Sequence, residues 1–398
     1  MSQRYEITES SKSLDETIKE IISDAKNPLS CTITLSDECY NQNLTIIECS
    51  NIKQLQILKE RNSTNNTNNN NNNTANSNNN NTTSTSTAHN NTSTSTTTDY
   101  SNIIKSDILL SNENIIEITN NTNDYTNIEF KNLTFKTKEG TNTILFNNIN
   151  IKLIKCQFYG IQLQFKGKCN IEIDECDFKY SQLNGIEITD ESKANIKNSI
   201  FNSNDKNGIR LIKNSKLIID KSTLNNNLGN GIVTQDESNL NITNSILKFN
   251  QTYGILTYHK SYININRNII SNNKQSGLYL TNTDNKSIIK DNQIIKNEEH
   301  GITIGGISNL GEMEILNNEI NNNYYYGIHV IDGVGIPIKI EGNKIIGNQS
   351  GPLKDDTLNG DLNFKNVQEF IQFINKNSQV LTLNNNDLKF NNSNCLLN

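Results

Sequence analysis

The strongest constraint on the fold is a short motif that recurs along much of the chain. In this motif a glycine is followed by an apolar residue, and successive copies are 23 to 26 residues apart. Asn stands four residues before the glycine in six copies, and Ser stands seven residues after it in five. A unit this short buries its apolar residues only by stacking on neighbouring copies, so the sequence predicts a solenoid. The marker glycines are Gly160, Gly185, Gly208, Gly231, Gly254, Gly277, Gly301 and Gly327, with a weaker copy at Gly351.

Each copy contains two or three short segments in which apolar and polar residues alternate. Leu217 and Ile219, for example, stand nine and eleven residues after Gly208. Alternation of period two is typical of β-strands, and no segment of the repeat has a helical period. The sequence therefore predicts an all-β solenoid in which equivalent residues of successive coils lie about 4.8 Å apart. Apolar ladders would fill its interior, and Asn side chains in the turns would hydrogen-bond to their copies above and below.

This repeat resembles that of the pectin-lyase-like superfamily over about residues 100–350. The segment TITLSDECYNQNLTII near the N-terminus is similar to the first strands of that superfamily. The resemblance implies a single-stranded, right-handed parallel β-helix with coils of about 23 residues. A leucine-rich repeat has a similar period, but its L-x-x-L-x-L-x-x-N signature is missing here.

Two amphipathic segments predict helices that cap the ends of the solenoid, where strand edges would otherwise stay unpaired. The N-terminal segment is Leu14–Ala25, with an apolar face of Leu14, Ile18, Ile21 and Ile22. The C-terminal segment is Asn366–Asn377, with an apolar face of Val367, Phe370, Ile371 and Ile374.

Composition divides the chain into four parts. Residues 61–98 are almost wholly Asn, Thr and Ser, which offer no apolar surface to offset the entropy of ordering, so we predict a disordered insertion. A prion-like assembly segment is the alternative. The predicted organisation is an N-terminal capping helix and first coils at 1–60, the insertion at 61–98, the β-helix at 99–352, and a tail with its capping helix at 353–398.

Charge and composition argue against several classes of protein. The 36 basic and 42 acidic residues are interspersed, which argues against nucleic-acid binding. No stretch approaches the roughly 20 apolar residues of a membrane-spanning helix. The 7 cysteines never form a CxxC motif, so we expect reduced thiols, with no zinc site and no cofactor. The N-terminal segment lacks the apolar core of a secretion signal, so we expect a cytoplasmic protein.

The strand after each glycine is the place to look for chemistry, because members of this superfamily that cleave acidic polysaccharides act on the outward face of one parallel sheet. Alternation predicts that the residues two and four places after the glycine point outward, and no paired carboxylates occur among them. One place further, Asp190 and Asp236 flank Lys213. We interpret these three as a charge-balanced ladder, with a glycosidase carboxylate pair as the alternative.

Two segments resemble motifs of the polygalacturonase-like hydrolases, namely Asn282-Thr283-Asp284 and Glu299-His300-Gly301. The match is incomplete, since no Asp-Asp lies between them and no Arg follows Arg267 to bind a substrate carboxylate. Asp284 and His300 are therefore the catalytic candidates, but turn residues are the interpretation we favour for both. We predict no catalytic residue and no metal ligand.

A group of aromatic and apolar residues predicts a binding surface. Leu256, Tyr258 and Tyr279 point outward from adjacent coils, with His259 beside them and His329 two coils further on. Outward tyrosines suit either sugar rings or a protein hot spot, because each supplies contact area and a hydroxyl at low entropic cost. The alternative is aromatic pairs that merely stabilise the sheet.

Two functions remain. The first is a noncatalytic intracellular scaffold or adaptor with a protein partner, resembling the β-helix domains of F-box-type adaptors and Shc SH2-domain-binding proteins, although no F-box is recognisable before residue 60. The alternative is a carbohydrate-active enzyme, a polysaccharide hydrolase or lyase, or a glycan-binding protein of the pectin-lyase-like superfamily. We favour the scaffold at this stage.

Overall fold

The computed structural model describes most of the predicted β-helix and parts of both ends. The described residues are 2–7, 16, 29–35, 47–48, 52–59, 107–110, 115–119, 126–137, 142–281, 286–306, 312–331, 334–335, 337–356, 358, 362–363, 366–378, 380–389 and 396–397. The insertion at 61–98, Asp284 and, apart from Glu16, the N-terminal helix at Leu14–Ala25 lie outside them. Within the described residues, no helix is long and apolar enough to span a membrane.

Nearly all strands belong to three long sheets, here called A, B and C, in which every neighbouring pair of strands is parallel. Strands β1–β40 are numbered in chain order. Sheet A contains β1 (Ser2–Ile7), β2 (Leu29–Leu35), β4 (Ile52–Lys59), β7 (Thr126–Lys131), β10 (Ile149–Ile154), β13 (Asn170–Asp174), β16 (Lys193–Lys197), β19 (Lys216–Asp220), β22 (Asn239–Thr243), β25 (Tyr262–Asn266), β28 (Lys286–Lys290), β31 (Glu312–Leu316), β34 (Ile338–Glu341) and β38 (Leu381–Asn384). Sheet B contains β5 (Asp107–Leu110), β8 (Thr134–Thr137), β11 (Gln157–Tyr159), β14 (Asp177–Lys179), β17 (Ile200–Asn202), β20 (Thr223–Asn225), β23 (Ile246–Lys248), β26 (Ile269–Ser271), β29 (Gln293–Ile295), β32 (Glu319–Asn321), β35 (Lys344–Ile345) and β39 (Asp387–Leu388).

Sheet C carries the strands that follow the marker glycines. It contains β3 (Ile47–Glu48), β6 (Ile115–Thr119), β9 (Asn142–Asn147), β12 (Ile161–Lys166), β15 (Ile186–Ile188), β18 (Ile209–Leu211), β21 (Ile232–Thr234), β24 (Ile255–Thr257), β27 (Leu278–Thr281), β30 (Ile302–Gly305), β33 (Tyr326–Val330) and β36 (Gly351–Asp355). Strands β37 (Leu362–Asn363) and β40 (Leu396–Leu397) form a separate antiparallel pair. From β4 to β36 each coil thus contributes one strand to each long sheet, and the predicted all-β solenoid is confirmed.

The interior consists of apolar ladders that follow the strand register. Residues one and three places after the marker glycines from Gly160 to Gly327 are buried, as predicted, and Ile209 and Leu211 are fully buried. Four phenylalanines of sheet B stack with ring centroids 4.8 to 5.0 Å apart, at Phe135, Phe158, Phe178 and Phe201. Cys156, Cys169 and Cys176 are free and buried, so these thiols are small core residues.

A ladder of asparagines runs inside the turn between sheets B and C. Each side-chain amide donates to the carbonyl oxygen of the next Asn, over distances of 2.9 to 3.0 Å. The same oxygen also accepts a backbone N–H, so polar groups of the turn are satisfied without water. The members are Asn204, Asn227, Asn250, Asn273, Asn297, Asn323 and Asn348, as the sequence predicts for the first six.

A second polar ladder lies in the turn between sheets A and B, and its residue type changes along the axis. It begins with Cys156 and Cys176, and the Cys176 sulfur accepts the backbone N–H of Cys156 at 3.3 Å. Serines continue it through Ser199, Ser222 and Ser245, and from there asparagines take over at Asn268, Asn292, Asn318 and Asn343. Small side chains at one end and amides at the other satisfy the same backbone groups.

Two predicted markers are out of register. Leu163 pairs with Ile186, so Gln162 rather than Gly160 stacks on Gly185. Gly160 instead directly follows β11, and its φ of 72° is a left-handed turn conformation. Near the other end, Leu353 pairs with Ile328, which places Pro352 rather than Gly351 in the marker position.

Some outward residues of sheet C are nevertheless buried, which alternation alone does not predict. Val233 is 3% exposed and Thr303 is 2% exposed. The Ser276 hydroxyl, which precedes a marker glycine, lies 2.9 Å from the Thr303 hydroxyl and covers it. The turn before each strand therefore forms one side of the outer surface of sheet C.

The C-terminal capping helix is confirmed as α1 (Val367–Asn377). Asn366 caps its start by accepting the Glu369 backbone N–H at 2.9 Å. Phe370 and Ile374 are buried in the core. Asn375 pairs with both backbone groups of Leu383, in the last strand of sheet A, at 2.7 and 2.9 Å. The helix thus closes an edge that would otherwise expose strand hydrogen-bonding groups.

We predict that the buried Asn ladder contributes more to stability than surface asparagines do. Asn250→Ala should destabilise the protein by about 3 kcal/mol or more, because it leaves several buried donors and acceptors unpaired. Asn239→Ala, on the outward side of sheet A, should change stability by no more than about 0.5 kcal/mol. Urea unfolding followed by circular dichroism measures both. Equal effects of the two substitutions would contradict this role of the ladder.

Candidate functional site

The outward side of sheet C, here called the C face, presents one side chain per coil in a straight line. Strand pairing places these residues in register along the solenoid axis. In order they are Gln164, Glu187, Arg210, Val233, Leu256, Tyr279, Thr303, His329 and Lys354. Because neighbouring coils lie about 4.8 Å apart, the side chains in this line are regularly spaced, and their chemical type changes from coil to coil.

The first part of the C face is a closed ionic network around Glu187. This carboxylate accepts hydrogen bonds from the Gln164 amide at 2.8 Å and from Arg210 at 3.1 Å. The Asn184 amide adds a third bond at 3.3 Å. All of these groups therefore satisfy one another.

The middle of the C face is aromatic and apolar. The rings of Tyr253 and Tyr279 lie 4.8 Å apart, and Leu256 pairs in register with Tyr279. Burial, together with the nearby Glu299 and Tyr279, raises the pKa of Tyr253 to about 12. Its phenol therefore stays protonated at neutral pH and is available as a hydrogen-bond donor.

The far part of the C face holds two histidines and an aspartate in contact. His329 Nε2 lies 2.9 Å from Asp356 Oδ2, and His329 Nδ1 lies 3.2 Å from His300 Nε2. The Tyr326 backbone N–H donates to His300 Nδ1 at 3.1 Å. The second oxygen of Asp356 lies 3.1 Å from the Lys354 ammonium.

These contacts fix the proton positions. His300 Nδ1 accepts a backbone N–H, so the proton of a neutral His300 lies on Nε2 and is donated to His329 Nδ1. His329 then carries its proton on Nε2 and donates it to Asp356. Adding a proton to His300 would break one of these bonds, so the arrangement favours a neutral His300.

The pKa values agree with this assignment. Burial, with the nearby His329 and Lys354, lowers the pKa of His300 to about 4. Burial of Asp356 acts to raise its pKa, but hydrogen bonds from His329 and Lys354 outweigh it and lower the pKa. Asp356 is therefore ionised and is not a proton donor at neutral pH.

The structure places the predicted binding residues Leu256, Tyr279 and His329 in the line of the C face, whereas Tyr258 and His259 directly follow strand β24. Leu256 and Tyr279 lie in adjacent coils, and His329 lies two coils beyond Tyr279. The ring partner of Tyr279 is Tyr253, whereas Tyr258 packs edge-on against His259 with centroids 5.4 Å apart. His259 in turn lies 3.0 Å from Asp236 and continues the charge ladder that Asp190 and Lys213 begin at 3.1 Å.

Of the two catalytic candidates, only His300 lies in the described residues. It occupies the place before the turn glycine, where Asn184, Asn207 and Asn230 accept a backbone N–H from the next coil. His300 accepts the corresponding N–H, which agrees with a turn role, and its second nitrogen also reaches His329.

Sequence reasoning did not identify Tyr253, Lys354 or Asp356 as site residues. Tyr253 and Tyr326 stand in the same place as the asparagines before the turn glycine, and aromatic residues in an Asn position were an available signal. The one-residue offset of Gly351 hid the alignment of Lys354 with His329.

A metal site finds no support in the described part of the chain, where no group of three or more His, Cys, Asp or Glu residues could hold a metal ion. The two histidine nitrogens face each other at hydrogen-bond distance, so each is occupied by the other.

Comparisons with known proteins agree with the fold. Residues 137–294 match the family model described as the right handed beta helix region. The periplasmic alginate epimerase AlgG is similar with a TM-score of 0.55 and 14% identity, over 97% of this chain and 85% of that chain. The A-module of the Azotobacter vinelandii mannuronan C-5 epimerase AlgE6 gives 0.58 and 12%, over 96% and 98%. The catalytic domain of a GH87 alpha-1,3-glucanase gives 0.55 and 12%, over 96% and 69%.

No curated protein sequence matches the chain. The family match and the structural neighbours confirm the predicted right-handed parallel β-helix fold. At 12 to 14% identity, the neighbours establish the fold alone.

The histidine pair predicts a pH dependence of stability. The folded-state pKa of His300, about 4, lies below its ordinary value of 6.5, so this group stabilises the protein above pH 6.5 and the contribution is lost as pH falls towards 4. His300→Asn keeps a side chain that can accept the Tyr326 N–H but removes the titration. The melting-temperature advantage of wild type over His300→Asn should therefore shrink by a few degrees between pH 7 and 4.5. A constant difference over that range would contradict the assignment.

Proposed function

We propose that this protein binds a polysaccharide along the C face, as a β-helix of the carbohydrate-active type. The observation that carries the proposal is the continuous line from Tyr253, Leu256 and Tyr279 to Tyr326 and His329 along the solenoid axis. Aromatic rings provide flat apolar area for the carbon faces of sugars, and their hydroxyls bond to the sugar hydroxyls. A linear array of such groups suits a linear polymer better than it suits a small molecule.

The structural neighbours support this proposal over the scaffold favoured by sequence alone. Two of them are named as epimerases of alginate or mannuronan and one as an alpha-1,3-glucanase, so all three act on polysaccharides. These names concern proteins of the same fold, and the line of side chains on the C face carries the argument for this chain.

The chemistry of the C face favours binding over acid catalysis. Asp356 is ionised and engaged by His329 and Lys354, so it does not supply the proton that glycosidic bond cleavage requires. The acceptor nitrogen of His300 is occupied by a backbone N–H. We therefore propose a binding protein and derive no catalytic step.

A noncatalytic protein scaffold remains the second candidate, and one observation favours it. Ile200, Ile246 and Ile269 stand at the same outward place in strands of sheet B, and Ile200 and Ile269 are 37% and 39% exposed. Phe249 and Leu228 add exposed apolar area, at 44% and 57%. Under this proposal a protein partner would dock away from the C face.

The test of polysaccharide binding is affinity electrophoresis in gels that contain single neutral or acidic polysaccharides. Wild type should be retarded by at least one polymer, and Tyr279→Ala should weaken that binding tenfold or more, because it removes a central aromatic contact. Tyr262→Ala, a tyrosine on the outward side of sheet A, is the matched control and should bind like wild type. Circular dichroism melting establishes that both variants are folded.

Retardation by no polymer, or equal binding by the Tyr279→Ala variant and wild type, would refute the proposal. Capture of a discrete protein by wild type that is lost in an Ile269→Asp variant would favour the scaffold instead.

A further inference from the structure

The fixed charges of the C face are few and mutually neutralised. Each coil between Asn184 and Asp356 contributes six residues to this surface: the residue before the marker position, the marker residue itself and the four residues that follow it. All of them belong to the described part of the chain. They contain two Lys or Arg side chains, Arg210 and Lys354. Each lies 3.1 Å from a carboxylate, Glu187 and Asp356 respectively. Each cation is thus already paired with a carboxylate of the same face.

The three central coils carry no charged side chain on the C face. At residues 230–235, 253–258 and 276–281 the outward and flanking side chains are amides, hydroxyls, tyrosines and aliphatic groups. They are Asn230, Val233, Gln235, Tyr253, Leu256, Tyr258, Ser276, Tyr279 and Thr281. Gln235, Tyr253, Leu256, Tyr258, Tyr279 and Thr281 are partly exposed and can bond sugar hydroxyls or pack on sugar carbons, whereas Asn230, Val233 and Ser276 are buried. None of these groups supplies a counter-charge for a carboxylate.

A further charge beside the central coils has the wrong sign for an anionic ligand. Glu299 stands directly before His300 and accepts from the Ser276 hydroxyl at 3.2 Å, and its charge acts on Tyr253. His300 does not compensate for it, because its hydrogen bonds favour the neutral form, and His329 is engaged by the Asp356 carboxylate.

A polyuronate would bring one carboxylate with each sugar unit. Desolvating such a group against an uncharged surface is costly, and a like charge nearby adds repulsion. Binding of a neutral polysaccharide involves neither the desolvation of a carboxylate nor the repulsion by a like charge. From this arrangement of charges, we infer that the ligand of the C face is an uncharged polysaccharide rather than a polyuronate, an inference that rests on the proposed polysaccharide binding.

The experiment compares two polymers that differ in charge alone. Polygalacturonate and its carboxyl-reduced derivative have the same linkages, and a set of neutral α- and β-linked glucans extends the neutral arm. We expect wild type to bind at least one neutral polymer, and to bind polygalacturonate at least tenfold more weakly than that polymer at low salt. Tyr279→Ala should weaken the neutral binding tenfold or more.

Each outcome decides between the two proposals. Tyr279-dependent binding of polygalacturonate that equals or exceeds every neutral polymer would overturn the inference and leave the proposed function standing. Binding of no polymer by wild type would overturn the proposed function, and the inference with it.

A charge variant tests the physical cause separately. Glu299→Lys should raise the affinity for polygalacturonate relative to the neutral polymer by about tenfold, because it replaces repulsion near Tyr253 with attraction. Glu298→Lys changes the adjacent residue, which is exposed and paired with Lys274, and it is the matched control. Equal effects of the two variants would show that net charge, rather than the C face, determines the preference.

Discussion

The structure depends on the exact stacking of buried polar side chains in its turns. Asn250 and its copies satisfy backbone groups that the solenoid removes from water, and each amide does so only when the next coil lies one strand spacing away. A slip by one residue would leave these groups unpaired and would turn the apolar ladders outward. The polar ladders therefore set the register, and the apolar core fills the space that the register defines.

The same register arranges the C face. Since every coil delivers one outward residue to the same line, Tyr279 and His329 lie on one surface although 50 positions separate them in the sequence. The turn before each strand adds a second line, in which Tyr253 and His300 replace asparagines. Binding residues can therefore change from coil to coil while the hydrogen bonds that hold the coils together remain. His300 illustrates this, because it keeps the hydrogen bond of the Asn position and adds a contact with His329.

Much of this could be predicted from the sequence because the repeat is regular. The Asn ladder, the inward Ile209 and Leu211, and the C-terminal helix follow from spacing and alternation. The C face was harder to predict where the period changes. The coils at Gly160 and Gly351 are each offset from the regular repeat. The offset at Gly351 hid the alignment of Lys354 with His329. Contacts between turn and strand, such as Tyr253 with Tyr279, depend on side-chain conformations that a repeat pattern does not specify.

Side-chain oxidation by hydroxyl radicals, measured with and without a saturating neutral polysaccharide, tests whether the C face is the polysaccharide-binding surface. It reports the solvent accessibility of individual tyrosines in the unmodified protein. The account predicts that the polymer protects Tyr253, Tyr279 and Tyr326, while Tyr180 and Tyr262, outside the C face, oxidise at unchanged rates. Protection of Tyr180 or Tyr262 without protection of Tyr279 would contradict the C face as the binding surface.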